Sequence, residues 1–206
     1  MAETGSQDGR PAGTDWKSVV LWRKAARQRL IDERMAIRGE ERARCNNAIT
    51  GELARLLPGA KTIGFYWPFR GEVDLRDFVA SLIERGARPA LPVVVQKGAP
   101  LIFREWRPDA LMTSGVWNIP VPADGETLVP EVLLVPLVGF DPRLYRLGYG
   151  GGFYDRTLAA MPRVTRAIGV GYERAYLETI YPQAHDIPMS VIVTDRRVLG
   201  SASSRA

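Results

Sequence analysis

The 206-residue chain carries one cysteine, Cys45, and one histidine, His185. A single thiol excludes an intramolecular disulfide, and one thiol with one imidazole cannot assemble a Cys/His zinc site. Any Ser-His-Asp or Cys-His arrangement would depend on His185 alone, so chemistry built on histidine or cysteine is all but excluded. Long apolar runs are missing too: no stretch approaches the ~20 residues needed to span a bilayer. Residues 1–15 have no apolar segment of the kind a secretory signal carries, so they read as a flexible tail and the chain as cytoplasmic. Repeats of solenoid period and long low-complexity tracts are also absent.

The chain does have an ordinary globular composition, 46% apolar and 25% charged, enough for one domain to bury a core without covalent or metal staples. The net charge of +5 is unevenly placed, because residues 17–44 hold nine basic side chains against four acids and account for the whole excess. A local basic face is usually a solvated helix and less often a phosphate or nucleic-acid contact. A nucleic-acid module would interleave stacking aromatics with those charges. The first helix offers only Trp16 and Trp22, so nucleic acid is not an expected partner, and neither is a membrane.

Periodicity predicts two amphipathic helices, residues 16–37 and 40–57, the second stopped by Pro58-Gly59. A short aromatic strand at 62–67 and a helix at 75–85 follow. Strands are expected at 88–95, with Pro92 an awkward member, and at 101–106. The nearly continuous apolar run 132–138 (VLLVPLV) has the pattern of a strand buried on both faces of a parallel sheet. A helix beginning at 154–160 and strands at 167–172 and 191–194 complete an α/β fold, a three-layer α/β/α arrangement around a mostly parallel sheet. The domain is expected over 16–198, with tails at 1–15 and 199–206. Strand order is not readable from the pattern.

The most informative segment follows the 132–138 run. Four glycines, Gly148, Gly150, Gly151 and Gly152, fall within five residues ahead of the expected helix. Glycine lets backbone N–H groups approach an anion without a Cβ in the way, and a helix N-terminus adds its dipole, so phosphate is the natural occupant. Phe153 stands where a dinucleotide fingerprint needs its last glycine, and no Gly-Lys-Ser/Thr follows, so this is neither a Rossmann turn nor a P-loop. Arg146 and Arg156 flank the run as phosphate partners, and Asp155 is placed to hold Mg²⁺ beside a nucleotide. The bland alternative is a tight strand-to-helix turn. His185 alone reads as structural, Trp106 and Trp117 as core or wall aromatics, and Cys45 as a small hydrophobe.

The segment Arg146-Leu147-Gly148-Tyr149-Gly150-Gly151-Gly152-Phe153-Tyr154-Asp155-Arg156 resembles the R-L-G-x-G-x-G-[FY]-Y-D signature of the 5-formyltetrahydrofolate cyclo-ligase family. Other stretches of the same family's pattern are matched by residues 137–141 (LVGFD), 117–122 (WNIPVP), 71–74 (GEVD) and 185–189 (HDIPM), and by the basic opening Arg23-Lys24-Ala-Ala-Arg27 with Arg34 beyond it. The resemblance covers residues 16–195. It departs in two places. Arg23 stands where the family often has Lys, a change that keeps charge but not geometry, so Lys24 is a substitute. Ser190 stands where an acid is common.

The resemblance implies a fold similar to the NagB/RpiA/CoA-transferase group and a single small-molecule reaction. ATP and Mg²⁺ would be used to convert 5-formyltetrahydrofolate, with or without a polyglutamate tail, to 5,10-methenyltetrahydrofolate, releasing ADP and phosphate. Carried onto this chain, Arg23, Lys24, Arg27 and the residues from Arg146 through Tyr154 would bind ATP, and Asp155 and Asp186 would hold Mg²⁺. Glu72 would fix the pterin, with Trp67 and Tyr154 lining the folate pocket. Arg23 and Arg27 lie one helical turn apart and so reach one triphosphate together, whereas the other basic residues of that helix read as solvated. A monomer is expected. The alternative is an ATP-binding paralogue of the same fold with a different substrate.

Overall fold

The computed structural model describes residues 15–162 and 165–200. The expected tails at 1–14 and 201–206 lie outside the described residues. Asp15 is the N-cap of α1 (Trp16–Ala36), its carboxylate accepting from the amides of Lys17 and Ser18. At the other end Leu199, placed in the tail by its sequence, pairs with Ile192 in the last strand.

After α1 come α2 (Gly39–Leu56), β1 (Thr62–Gly64), α3 (Arg76–Ile83), β2 (Arg88–Val93) and β3 (Ile102–Glu105). A small hairpin of β4 (Met112–Ser114) and β5 (Pro120–Pro122) leads to β6 (Thr127–Leu128) and β7 (Val132–Pro136). A second hairpin, β8 (Gly139–Phe140) with β9 (Arg146–Leu147), precedes α4 (Phe153–Ala160), β10 (Arg166–Val170), β11 (Val191–Val193) and β12 (Val198–Leu199). The main sheet has the order β12-β11-β10-β7-β1-β2-β3-β6. Its five central strands, β11 through β2, are parallel, and antiparallel strands close both edges.

The reason for three layers is visible in β7. Val132 and Leu134 enter the core under α2 and α3, while Leu133 and Val135 enter the core on the α4 side. All four are buried, as the unbroken apolar run predicts for a strand covered on both faces. Ile168 and Ala167 of β10 divide between the same two cores, as do Val191 and Ile192 of β11. The strand expected at 62–67 stops at Gly64, although Phe65 still donates its amide to the Ala90 carbonyl and stays fully buried. Pro92 is tolerated because β1 has ended opposite Ala90, which leaves Pro92 paired only with Phe103 of β3.

α1 packs apart from these layers. Ala26, Leu30 and Ile31 meet Val138, Leu147, Leu177 and Ile180, which seats the helix against the hairpin and loop that follow β7. Its basic residues are not uniformly solvated: Arg23 and Arg34 are buried along with its apolar stripe.

Candidate functional site

A cleft of about 450 Å³ opens at the carboxyl ends of the parallel strands, where Pro92 and Val94 follow along β2 and Pro136 ends β7. This is the end of a parallel α/β sheet that binds ligands. One wall is a single stripe of α1, with Trp16, Val20, Arg23 and Arg27 recurring at helical spacing. The loop from Gly148 to the start of α4 forms the adjoining wall.

Two arginines pin that loop. Arg27 donates through Nε to the Gly148 carbonyl at 2.7 Å, and its guanidinium carbon lies 3.5 Å from where a Cβ on Gly150 would stand. Arg156 folds back to donate to the Gly151 carbonyl at 2.7 Å. Gly150 (φ 95°) and Gly152 (φ 65°) occupy the left-handed region, and a Cβ on Gly152 would come within 2.7 Å of Arg156 Nη1, so both positions require glycine. Among the described residues no protein acceptor is bonded to the amides of Gly150, Gly151 or Gly152. Those donors and the α4 N-terminus are open to an anion.

Of the charged residues lining the cleft, Arg23, Arg146, Asp155 and Asp186 are ion-paired and Arg27 is not. Arg146, buried, meets Asp155 at 3.0 Å, and the same Oδ1 accepts from the Ile187 amide at 3.2 Å. Arg23 pairs with Asp186 and also donates to the Ile180 and Tyr181 carbonyls, each at 2.9 Å. Burial pushes Asp186 up, but Arg23 and the Gln183 amide outweigh it and hold the carboxyl below its usual value. Arg27 has no carboxylate within ion-pair distance among the described residues. Burial, and next the Arg23 charge, press its guanidinium below its ordinary value.

The other end of the cleft is apolar, formed by Leu101, Val116, Trp117, Ile119 and Val121. Trp117 sits at the tip of the β4–β5 hairpin. It and Asn118 are consecutive non-glycine residues at φ 57° and 58°, a conformation that costs on the order of 1–3 kcal/mol each and persists where packing enforces it. Here the Trp117 ring stacks on Phe69 at 6.3 Å and 13°, and tilts against Tyr149 at 6.2 Å. Behind this wall the Tyr149 hydroxyl accepts from Arg34 and lies 3.0 Å from Glu72 Oε1, while Glu72 Oε2 accepts from the Phe69 amide at 2.9 Å. Burial raises the Glu72 carboxyl to about 7, against the opposing pull of Arg34, the Phe69 amide and Tyr149.

Most residues expected from the sequence converge on this cleft: Arg23, Arg27, Arg146, Leu147, Gly148, Tyr149, Gly150, Gly151, Gly152, Phe153, Tyr154, Asp155 and Asp186 all line it. Leu147 does so with its side chain buried in the core beneath α1. Four others do not line it, the first being Arg156, which is turned back onto the Gly151 carbonyl. Lys24 is exposed, about 100° around α1 from the cleft-facing Arg23, so it is no substitute for that residue. Trp67 packs against the core under Arg76, whose guanidinium lies 4.8 Å over its ring, because the chain turns away after Phe65. Glu72 stands behind Tyr149 and does not form the wall itself. Ser190, where the family commonly has an acid, is exposed and away from the cleft, its amide bonded to Ala167. His185 is an exposed rim residue edge-on to Trp16. The reading of charge alone missed Arg34. The signal was available: Val19, Arg23, Ala26, Leu30 and Arg34 recur every three or four residues, which places both arginines inside the apolar stripe.

Among the described residues no group of three or more His, Cys, Asp and Glu side chains is gathered as a metal cage. Asp155 nevertheless fits a nucleotide-borne divalent cation. Its two protein bonds both go to Oδ1, and Mg²⁺ is ordinarily held by one or two carboxylates together with phosphate oxygens and water. No helix among the described residues is long and apolar enough to cross a membrane.

A parallel α/β sheet, a glycine loop pinned by arginines and an adjoining aromatic wall define an enzyme of the phosphate-binding α/β class. The family model described as the 5-formyltetrahydrofolate cyclo-ligase family matches residues 19–195. The 5-formyltetrahydrofolate cyclo-ligase of Escherichia coli (strain K12) is 33% identical over 146 residues, 68% of this chain and 80% of its own. That of Mycolicibacterium smegmatis is 31% identical over 179 residues, 83% of this chain and 92% of its own. The solved 5,10-methenyltetrahydrofolate synthetase of Aquifex aeolicus superposes with a TM-score of 0.76 at 29% identity, covering 89% of this chain and 95% of that one. The chain belongs to the 5-formyltetrahydrofolate cyclo-ligase family.

Proposed function

We propose that this protein converts 5-formyltetrahydrofolate to 5,10-methenyltetrahydrofolate with consumption of ATP and release of ADP and phosphate. Family membership supplies the reaction, and the observation that carries the site is Arg27: a half-buried guanidinium without a carboxylate partner, set against Gly150 and the free amides of the loop. A guanidinium so placed beside backbone amides is suited to bind an anion.

The ATP phosphates lie along Gly150, Gly151 and Gly152 at the α4 N-terminus, with Arg27 on one side and Arg146 on the other. The folate lies against Trp117 and Tyr149, with Tyr154 at the junction and Glu72 behind. The N5-formyl oxygen is a poor leaving group. Attack of that oxygen on the γ-phosphorus releases ADP and leaves the formyl carbon bearing a phosphate. N10 then attacks that carbon, its proton is lost, and phosphate departs. Positioning and charge neutralisation carry this chemistry, so the scarcity of histidine and cysteine is no obstacle.

Arg23, Arg27 and Arg146 against Asp155 and Asp186 leave the phosphate end with a net charge of only about +1, far short of a triphosphate's charge. The shortfall supports Mg²⁺ entering with the nucleotide, held by Asp155 and, if Arg23 releases it, Asp186. When bound, the ion would neutralise charge on the β- and γ-phosphates. The deciding assay is the absorbance rise of a methenyl product on mixing folded protein with 5-formyltetrahydrofolate, ATP and Mg²⁺. No rise, with ATP still bound, moves the protein to a different substrate. In the same assay Asp155→Asn is expected to raise the Mg²⁺ concentration needed for half-maximal rate, and an unchanged requirement removes Asp155 from the metal.

A further inference from the structure

Arg34 is the one buried cation of α1 that does not line the cleft. Its guanidinium spends its donors on three separate segments. Nε donates to the Arg70 carbonyl at 2.9 Å, Nη1 to the Leu137 carbonyl at 3.1 Å, and Nη2 to the Tyr149 hydroxyl. Arg70 belongs to the turn that carries Phe69 and Glu72 and itself sits at φ 46°, while Leu137 follows β7. A guanidinium has no acceptor and a rigid fork of donors, so these three bonds fix the relative positions of α1, the end of β7 and that turn.

The bond to Tyr149 also has a direction. Arg34 can only donate, so the phenolic oxygen must accept, and the single phenolic proton is left for Glu72 Oε1 at 3.0 Å. The competing acceptor, the Phe69 carbonyl, is at 3.4 Å. Glu72 then accepts at both oxygens, from Tyr149 and from the Phe69 amide. Burial and the Glu72 charge push the Tyr149 phenol up, so it remains an O–H donor. The same tyrosine ring forms the cleft wall with Phe69 and Trp117.

We propose that Arg34 is a positioning residue for the folate end of the site: by fixing the Tyr149 hydroxyl it orients Glu72 and holds the aromatic wall that Phe69, Trp117 and Tyr149 present to the substrate. The proposal rests on the reading of that end as the folate end, and it adds a residue that touches neither substrate nor nucleotide. The groups facing Glu72 are Arg34 from α1, Tyr149 from the loop, Tyr66 from the segment after β1 and Tyr154 from α4. Tyr172 and Arg174 lie across a small void on the far side. Of these, Arg34 is the cation that opposes protonation of Glu72, so losing it moves that protonation to higher pH.

The experiment compares Arg34→Met, Arg34→Lys and Tyr149→Phe with the wild type in steady-state assays across pH. Arg34→Met is expected to raise KM for the folate about tenfold, to leave KM for ATP within about twofold, and to move the acid limb of kcat/KM for the folate up by about one pH unit. Arg34→Lys keeps the charge without the fork, so it should return the acid limb toward the wild-type position while KM for the folate stays raised. Tyr149→Phe deletes only the hydroxyl and should reproduce the folate-specific effect, which covers the case of an Arg34→Met protein too unstable to assay. Folded variants with wild-type folate KM and an unmoved acid limb, altered only in melting temperature, overturn the proposal. The Glu72 carboxyl is also titrated without substrate by carbon-13 NMR, its signal identified by loss in Glu72→Gln. An upward shift in Arg34→Met supports the coupling even if the wild type fails to turn over 5-formyltetrahydrofolate, and no shift refutes it.

Discussion

The two ends of the cleft are built in opposite ways. The end proposed for the phosphates is local: Gly148 through Asp155 are contiguous, and α1 adds one stripe with Arg23 and Arg27. The end proposed for the folate is assembled from a distance. Phe69 and Glu72 come from the turn after β1, Trp117 from a hairpin tip, Tyr149 from the glycine loop and Arg34 from α1. Backbone amides and charge suffice for phosphate, which looks similar from any side. A flat, unsymmetrical ring system needs surfaces whose relative angles are fixed, and buried hydrogen bonds supply that rigidity.

The comparison is broken most directly by Arg27→Ala. Removing a charged partner of the phosphates should raise KM for ATP about 100-fold while KM for the folate changes little, as steady-state kinetics with each substrate varied will show. Comparable rises in both values would mean that the two ends are not separable. Trp117→Ala should do the reverse at a smaller scale, raising KM for the folate about tenfold with the ATP value preserved. An ATP-specific defect in that variant would reassign the hairpin.

Glu72 tests the buried side of the folate end through stability. Its carboxyl is held at about 7 in the fold, above the ordinary value of 4.5, so folding favours its protonated form. That contribution is fully present below about pH 4.5 and is lost as pH rises through 7, an amount on the order of 3 kcal/mol. Glu72→Gln cannot lose it, so relative to wild type the variant should gain stability between pH 5 and pH 8 in denaturant titrations. A constant difference over that range would show that Glu72 is ionised throughout. The smallest effect is expected from Lys24→Ala, which should leave KM for ATP within about twofold because the side chain is exposed off the cleft face. A large rise would bring Lys24 back to the phosphates.

The legibility of the site in the sequence divides along the same line. That the glycine run, Arg146 and Asp155 come together was readable because they are contiguous in one loop. By charge alone Arg34 and Arg42 look like any other members of a basic, solvated helix face, and only the spacing of the apolar stripe sets Arg34 apart. Arg42 instead donates to the carbonyls of Ile37 and Gly71, tying the end of α1 to the turn that bears Glu72. The family resemblance implied that Trp67 lines the folate pocket. Trp67 packs against the core, and the tryptophan that lines the apolar end of the cleft is Trp117, fifty residues further on.

Sequence by itself determined the layered α/β class, because an apolar run as continuous as that of β7 can be satisfied only by helices on both faces. It also determined the shape of the glycine loop, because glycine is the residue that adopts the left-handed backbone seen at Gly150 and Gly152 without strain. Tertiary structure alone decided the order of the strands, the partners of Arg34 and the aromatic wall of Phe69, Trp117 and Tyr149. Each of these depends on contacts between residues far apart in the chain, and no local pattern of charge or hydropathy encodes which distant partner a side chain will meet.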